Sequence, residues 1–462
     1  MNKNAHDPRR NLPSVSIMLE EERIKNLILQ HSRPLVMDAI NKSLDWFREN
    51  LKQGDAAPDL QTAVQKTEFF LNKFEFDRLR PVVNATGIIL HTGLGRAVLP
   101  ENAVQALAQL NRCCNLQIDL ETGQRGKRNF MAETLLCMLT GGEAAMLVNN
   151  NAGATLLILS ALCKGKEVII SRGQLIEIGG SYRLPDCIRE SGAIMVEVGT
   201  TNKTHLRDYE DAIGENTGAI LRCNPSNYRI VGFTEDVPLA DIVNLKKKRD
   251  ILVIDDLGCG ALVNLEKYGL PKEPTIQESI EAGADVICSS GDKLIGGPQA
   301  GIILGKKELI QKIKKHPLAR MLRVCKMTAM AMEQTLRLFL DPETLLSKNP
   351  TLRMLTTQPE NLRRTAMKIK RAVAKRNPSL NISMEEGESA TGGGSLPHVA
   401  LKTWLLAVTC PNLSADRLCY LLRCHEPPII ARIKDDRVLL DMRTLLKDED
   451  KFIISALALL ST

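Results

Sequence analysis

The sequence predicts an α/β fold with a mainly parallel central sheet, preceded by a helical N-terminal domain and followed by a small α+β domain. Three observations predict it. Between residues 78 and 340, short apolar runs rich in Val and Ile recur between segments of helical period, without the alternation of half-exposed strands, as buried parallel strands do. Before residue 78 every patterned segment has helical period. After residue 341 a Gly-rich stretch leads into a strand, a helix, a hairpin and a last helix, which sets the boundaries at 1–77, 78–340 and 341–462.

In chain order, the first domain begins with MLEEERIKNLILQ, for which Ser16 is a candidate N-cap, and continues through LVMDAINKSLDWFREN and DLQTAVQKTEFFLNKF. The central domain offers the strands AAMLVNN, EVIIS, AIMVEVG, AILRCNP, ILVIDDL, DVICSS and AGIILG. Helices such as AGATLLILSALC, LRDYEDAI, PLADIVNLKKKR and TIQESIEAG separate most of them. The last domain opens with a helical and polar stretch running into GESATGGGSLP. The strand HVALKTWLLAV, the helix SADRLCYLLRCH and the hairpin IIARIKDDRVLLDMR follow.

Composition narrows the class. Of 462 residues, 44% are hydrophobic and 25% charged, which excludes a disordered tail protein and a collagen-like rod. The net charge of 61 − 54 = +7 is too small to name a partner. It is unevenly placed: residues 1–77 hold 11 Lys/Arg against 12 Asp/Glu, whereas Lys306 to Lys326 carries eight Lys/Arg and one acid. The twelve cysteines show no CxxC pair and no metal-type spacing with His, so no metal is expected. With no apolar leader and no run of about 18 apolar residues, the expectation is a soluble cytoplasmic protein with reduced thiols.

Ligands of open α/β sheets bind beyond the carboxyl ends of the strands, and three of those ends are chemically loaded. In MLVNNNAGATLLILSAL, small residues Ala152, Gly153 and Ala154 open a helix, the arrangement of an anion cradle; an ordinary Asn-capped helix has the same pattern. In ILVIDDLGCG, Asp255 and Asp256 end a strand expected to be buried, and a buried carboxylate needs a partner. A metal, a ribose hydroxyl or a protonated ring nitrogen would each serve. In VICSSGDKLIGGPQAGIILG, Lys293 stands in a Gly-bounded turn three residues after Ser290. A turn lysine is ordinarily solvated. The order cradle, aspartate, lysine, at spacings of about 100 and 40 residues, favours a lysine that forms a Schiff base with pyridoxal phosphate.

Those blocks, together with RPVVNATGIILHTGLGRAVL, GQRGKR, SRGQLIEIGGSYRLPD, SNYRIVGFTE, HPLARMLR and GGGSLP, resemble bacterial L-seryl-tRNA(Sec) selenium transferases, the selenocysteine synthases, over essentially the whole chain. These are pyridoxal-phosphate enzymes of fold type I. The resemblance implies that Lys293 is the Schiff-base lysine and that Asp256, rather than Asp255, faces the pyridine nitrogen. Ala152, Gly153 and Ala154 with Ser290 would hold the cofactor phosphate, and Asn227 would meet the ring hydroxyl. Asp292 would be a second acid at the reaction centre. Arg96, Arg320 and Arg323 would receive selenophosphate, a polyanion suited to guanidinium forks. Arg320 and Arg323 are expected three apart on one helical face. Arg125 and Arg128 are both candidates for the site.

The resemblance further implies conversion of L-seryl-tRNA(Sec) to L-selenocysteinyl-tRNA(Sec) through an aminoacrylyl group on the cofactor. It implies tRNA contact by residues 1–77 and a homo-oligomeric ring of dimers, a decamer. Four positions depart from the family pattern: Gln174 stands where Glu is usual, Asn224 for His, Cys259 for Ser and Cys325 for Asp. The alternatives are a pyridoxal-phosphate lyase or racemase acting on a small free amino acid or sugar acid, and an RNA-binding scaffold without activity. Residues 1–77 favour the transferase over the former, and retention of Lys293, Asp256 and Arg96 argues against the latter.

The purified protein is therefore expected to be yellow, and absorption spectra of Lys293→Ala should lack the visible band. A colourless wild type that cannot take up cofactor would sink the enzyme readings.

Overall fold

A computed structural model describes residues 8–52, 55–126, 130–246, 249–397 and 399–460. The chain divides into two compact units, Met1–Pro81 and Val82–Thr462.

The first unit is helical, with helices at Val15–Glu20, Glu22–Gln30, Arg33–Asn50 and Leu60–Phe76. Their apolar stripes enclose a small core of Met18, Ile24, Val36, Ile40, Leu44 and Leu71. The first helix starts earlier than its sequence suggests: Ser14, not Ser16, is the N-cap, its side chain accepting from the Ile17 N–H. At the surface Lys66 Nζ lies 3.4 Å from the centre of the Trp46 ring.

The second unit is built on a seven-stranded sheet. Its strands are β1 (Ala144–Val148), β2 (Glu167–Ser171), β3 (Ile194–Val198), β4 (Thr217–Cys223), β5 (Leu252–Asp256), β6 (Val286–Ser290) and β7 (Gly301–Gly305). All seven apolar runs of the central domain become strands of this one sheet. Its order is β1-β7-β6-β5-β4-β2-β3. Every neighbouring pair is parallel except those of β7, which runs antiparallel to both β1 and β6. The reversal has a simple cause. A crossover needs a dozen or more residues, and residues 291–300 between β6 and β7 are too few, so the chain must turn straight back.

Helices cover both faces, which is why β6 and β7 are buried along their whole length. One face carries the Asn151–Leu162 helix, apolar all round, against Leu184 and Ile188. Behind the β2–β5 half of the other face lie Tyr209, Ile242, Val243 and Leu245. Edge strand β3 is the most exposed of the seven.

A second sheet follows, with β8 (Asn381–Ala390), β9 (Ala400–Thr409), β10 (Arg432–Lys434) and β11 (Arg437–Asp441) in the antiparallel order β8-β9-β11-β10. Leu362, Ala366, Ile369 and Val373 of the Pro359–Arg376 helix pack on it. Strand β8 corrects the sequence reading, which placed helical and polar chain there. NISMEEGESA has almost no apolar side chains to mark a face, yet all ten of its residues pair with β9. Val83–Asn84 pairs in parallel with Ile429–Ile430, joining the start of this unit to its last third.

Within the main sheet the heaviest electrostatic load is Asp255, fully buried on β5. Arg222 of β4 donates to its Oδ1 at 2.9 Å and the Ser279 hydroxyl to its Oδ2 at 2.6 Å. Burial pushes this carboxyl up, and the Arg222 guanidinium and Ser279 pull it down. Removing the cation leaves a buried charge uncompensated. Arg222→Met should therefore lower the urea unfolding free energy by roughly 3 kcal/mol, and Arg222→Met/Asp255→Asn should recover part of the loss; equal stability of wild type and single variant would show that the pair carries none.

Candidate active site

Successive residues of a strand face opposite sides, and the paired acids at the end of β5 are separated in this way. Asp255 turns to Arg222 and Ser279, as above. Asp256 turns to the helix that follows β1. Its Oδ1 accepts from Asn151 Nδ2 at 2.8 Å and from the Gly258 N–H at 2.9 Å, and its Oδ2 accepts from the Thr155 hydroxyl at 2.8 Å. Neither Asn151 nor Thr155 was singled out by sequence. The signal was available, since the two stand four apart on the first turns of one helix.

That helix begins at Asn151 with Asn150 as its N-cap. The Asn150 side chain takes the Gly153 N–H at 2.8 Å, and the Ala154 N–H goes to the Asn150 carbonyl at 3.1 Å. Two of the three small residues expected to cradle an anion thus spend their N–H groups on the helix itself; Ala152 stands ahead of them in the first turn. Leu322 closes over this end: a Cβ built on Gly153 would lie 3.0 Å from Leu322 Cδ2.

The same contact locates the arginine pair. The Asn149 N–H donates to the Leu322 carbonyl at 2.8 Å, and Arg323 forms a bridge with Val148 at the end of β1. Helix Pro317–Met321 stops before Arg323, so Arg320 and Arg323 do not share a helical face, contrary to expectation. Both side chains are exposed. Leu322, the C-cap, uses the break to cover Gly153 and turns the backbone of Arg323 along β1.

At the neighbouring end of β6, the Ser290 N–H donates to the Gly258 carbonyl at 2.9 Å, which clamps the Lys293 turn to the loop after Asp256. Lys293 is 5% exposed. Among the described residues no hydrogen bond or ion pair engages its Nζ. Asp292, equally buried, accepts from Arg96 Nη1 at 2.8 Å. Arg96 adopts φ of +64° directly after Gly95 at +92°, so the turn that presents it is left-handed over two residues.

The opposite wall is the turn Gly392 to Gly394. Gly394 has φ of +71°, and a Cβ there would lie 3.1 Å from Asn227 Cβ and 3.9 Å from Lys293 Nζ. Asn227 donates through Nδ2 to the Glu177 carbonyl at 2.9 Å. This wall borders a cavity of about 560 Å³ lined by Asn227, Thr391, Gly392, Gly394 and Ser395. Gln174 is held elsewhere, by the Cys223 N–H and Asp236, and Glu177 pairs with Arg183 at 2.6 Å. Arg125 is exposed, and Arg128 lies outside the described residues.

The structure therefore brings Lys293, Asp292, Arg96, Asp256, Ser290, Asn227 and the Ala152–Ala154 turn to the carboxyl edge of β1, β5 and β6, with Arg323 at its rim. Around them buried polar atoms lack partners: Asn151 Oδ1, Asn227 Oδ1, Ser289 Oγ and Ser226 Oγ. Orphaned buried groups of this kind are satisfied by a ligand. A lysine for an aldehyde, a carboxylate for a ring nitrogen, a free side-chain oxygen for a ring hydroxyl and a helix N-terminus for a phosphate together fit pyridoxal phosphate. Among the described residues no cluster of His, Cys, Asp and Glu is placed to hold a metal.

Comparison with known proteins gives the same direction. The family described as L-seryl-tRNA selenium transferase matches residues 82–446, and the one described as selenocysteine synthase N terminal matches residues 9–46. The L-seryl-tRNA(Sec) selenium transferase of Carboxydothermus hydrogenoformans is 45% identical over 443 residues, 95% of either chain. That of Maridesulfovibrio salexigens is 44% identical over 453 residues, 96% of this chain and 97% of its own. Among solved structures, D-glucosaminate-6-phosphate ammonia-lyase superposes with a TM-score of 0.56 at 19% identity, over 84% of this chain and 96% of its own, a likeness of fold.

Gly394 supplies a direct check on the wall. Gly394→Ala adds a side chain at a left-handed position and presses it on Asn227. Titration with pyridoxal phosphate should show affinity lowered about tenfold or more, equivalent to roughly 1.4 kcal/mol; unchanged affinity would remove this turn from the site.

Proposed function

The chain belongs to the L-seryl-tRNA selenium transferase family, and on that premise we propose how its own residues perform the reaction. It is a pyridoxal-phosphate-dependent transferase that converts L-seryl-tRNA(Sec) to L-selenocysteinyl-tRNA(Sec). The observation that supports the assignment of roles is the buried Lys293, whose Nζ has no hydrogen bond or ion pair among the described residues, at a site where Asp256 is held by neutral donors and Asp292 by Arg96.

Lys293 Nζ would hold the cofactor, and the Asp256 carboxylate would serve its ring nitrogen. The hydrogen bonds from Asn151, Thr155 and Gly258 fix the direction of that carboxylate. Ala152 at the helix start and Ser290 serve the phosphate, and Asn227 Oδ1 the ring hydroxyl. When bound, the cofactor supplies an electron sink that makes the α-proton of the seryl group labile. Lys293 Nζ would take that proton and return it to the departing hydroxyl, which would leave as water. The Gly392–Gly394 wall and Leu322 would narrow the approach of water to the site.

Selenophosphate is the proposed selenium donor. Arg96, set by Asp292, would bind its oxygens beside Lys293, with the exposed Arg320 and Arg323 receiving it at the rim. Asp292 then acts as a positioning residue. The substrate is a charged tRNA, and the Met1–Pro81 unit is proposed to contact it. Its match to the selenocysteine synthase N-terminal family supports this, although residues 1–77 carry no net positive charge. A homo-oligomer, a ring of dimers, and a cytoplasmic site complete the proposal. Among the described residues no helix is long and apolar enough to cross a membrane.

The test is conversion of seryl-tRNA(Sec) with selenophosphate. Product from the charged tRNA is expected; product from free serine alone would favour a small-molecule lyase. In Arg320→Ala, selenium transfer should fall about tenfold, the worth of one charge-assisted hydrogen bond, with cofactor affinity kept. Equal loss of both would count against its anion role.

A further inference from the structure

A buried carboxyl beside Lys293 takes no part in these roles. Glu273 lies between β5 and the Ile276–Ala282 helix and is 7% exposed. Among the described residues no Lys, Arg or His stands within ion-pair distance of it. The other acids nearby are each answered: Asp255 by Arg222, Asp292 by Arg96, and Asp256 by three hydrogen bonds.

What Glu273 has instead is two donors on one oxygen. Cys259 Sγ reaches its Oε1 at 3.2 Å and Asn224 Nδ2 reaches the same atom at 3.3 Å. Both donors belong to the site's frame. Cys259 is three residues after Asp256, and its Sγ also lies 3.4 Å from the Gly394 carbonyl oxygen. The Asn224 N–H donates to the Asp256 carbonyl at 2.8 Å. Both side chains thus converge on this carboxyl.

We propose that Glu273 is a positioning residue of the cofactor site: ionised, it draws Cys259 and Asn224 onto one oxygen and so holds the Asp256 loop and the Gly394 wall around Lys293, and protonated it slackens them. The inference rests on pyridoxal phosphate being the cofactor.

Electrostatics supports the switch. Burial pushes the Glu273 carboxyl above the usual range, opposed by the Cys259 hydrogen bond, the positive charge of Lys293 and the Asn224 hydrogen bond. The titratable groups facing it are Cys259 from the loop after β5 and Lys293 from the turn after β6, and Arg229, Tyr268, Lys402 and Arg443 line a cavity of about 790 Å³ with it. Burial pushes the Cys259 thiol up to about 12, so it stays a neutral donor. Lys272, next in the chain, turns outward to Glu278 at 3.0 Å. The sign follows. With its titration point raised, Glu273 takes up a proton above the ordinary glutamate value of about 4.3, and the charge-assisted bonds are present above that point and lost below it.

The experiment titrates the full-length apoprotein with pyridoxal phosphate at a series of pH values from neutral into acid, following visible absorption and, separately, thermal unfolding. Wild type should lose affinity along an acid limb whose midpoint lies above the ordinary glutamate value. Glu273→Gln, which keeps the shape and one acceptor oxygen, should bind about tenfold more weakly at neutral pH and show no such limb. Retention of the wild-type limb overturns the proposal, as does a loss of thermal stability with affinity and limb unchanged. Should Glu273→Gln fail to fold, Cys259→Ala removes one donor to the ionised form and should move the limb to higher pH; an unmoved limb overturns the proposal equally. A wild type that takes up no pyridoxal phosphate at any pH would instead sink the cofactor reading on which the inference stands.

Discussion

Two adjacent carboxylates at the end of a buried strand constrain everything around them. Water cannot reach Asp255 or Asp256 at the end of β5, so the fold must answer both. Strand geometry sends them to opposite faces, and each face supplies a different answer. Asp255 meets a cation from β4 and becomes part of the scaffold. Asp256 meets neutral donors, Asn151, Thr155 and the Gly258 N–H. The charge of the partner is what distinguishes the two carboxylates.

The rest of the site is assembled by the shortness of one connection. Because residues 291–300 cannot cross over, β7 returns beside β6, and Lys293 is held in a tight turn on the edge where Asp256 ends. Arg96 and Asn227 reach it from distant parts of the chain, through Asp292 and the Gly394 turn respectively. The net charge of +7 does not enter this arrangement. What matters is that most charges near the site are paired or hydrogen-bonded while none of the described residues bonds Lys293 Nζ.

Much of this was legible in the chain. Seven short apolar runs announced seven buried strands, because a strand covered on both faces must be apolar throughout. Lys293 and Asp256 stood out as candidates because strand ends are where open sheets bind ligands. Strand β8 was not, since apart from Ile382 and Met384, which pack on the core, its side chains are mostly polar, and its ten-residue pairing with β9 makes it a strand. Nor was the break between Arg320 and Arg323. Nothing in PLARMLR marks a stop, and the helix ends at Met321 with Leu322, its C-cap, lying over Gly153. Glu273 was invisible for a further reason: its meaning lies in Cys259 and Asn224, residues 14 and 49 positions away that the fold brings to one oxygen.

The sequence by itself determined the fold class and the order of the strands along the chain, and it singled out Lys293 and Asp256 as candidates. Hydrophobic period and the residue types that end each strand are local properties. Only the tertiary structure decided the spatial order β1-β7-β6-β5-β4-β2-β3, the two opposite fates of Asp255 and Asp256, the pairing of Arg96 with Asp292, and the convergence on Glu273. Each of those depends on which distant group supplies a hydrogen bond or a charge inside a water-excluding core, and distances of a few ångströms between residues far apart in the chain leave no mark on its local pattern.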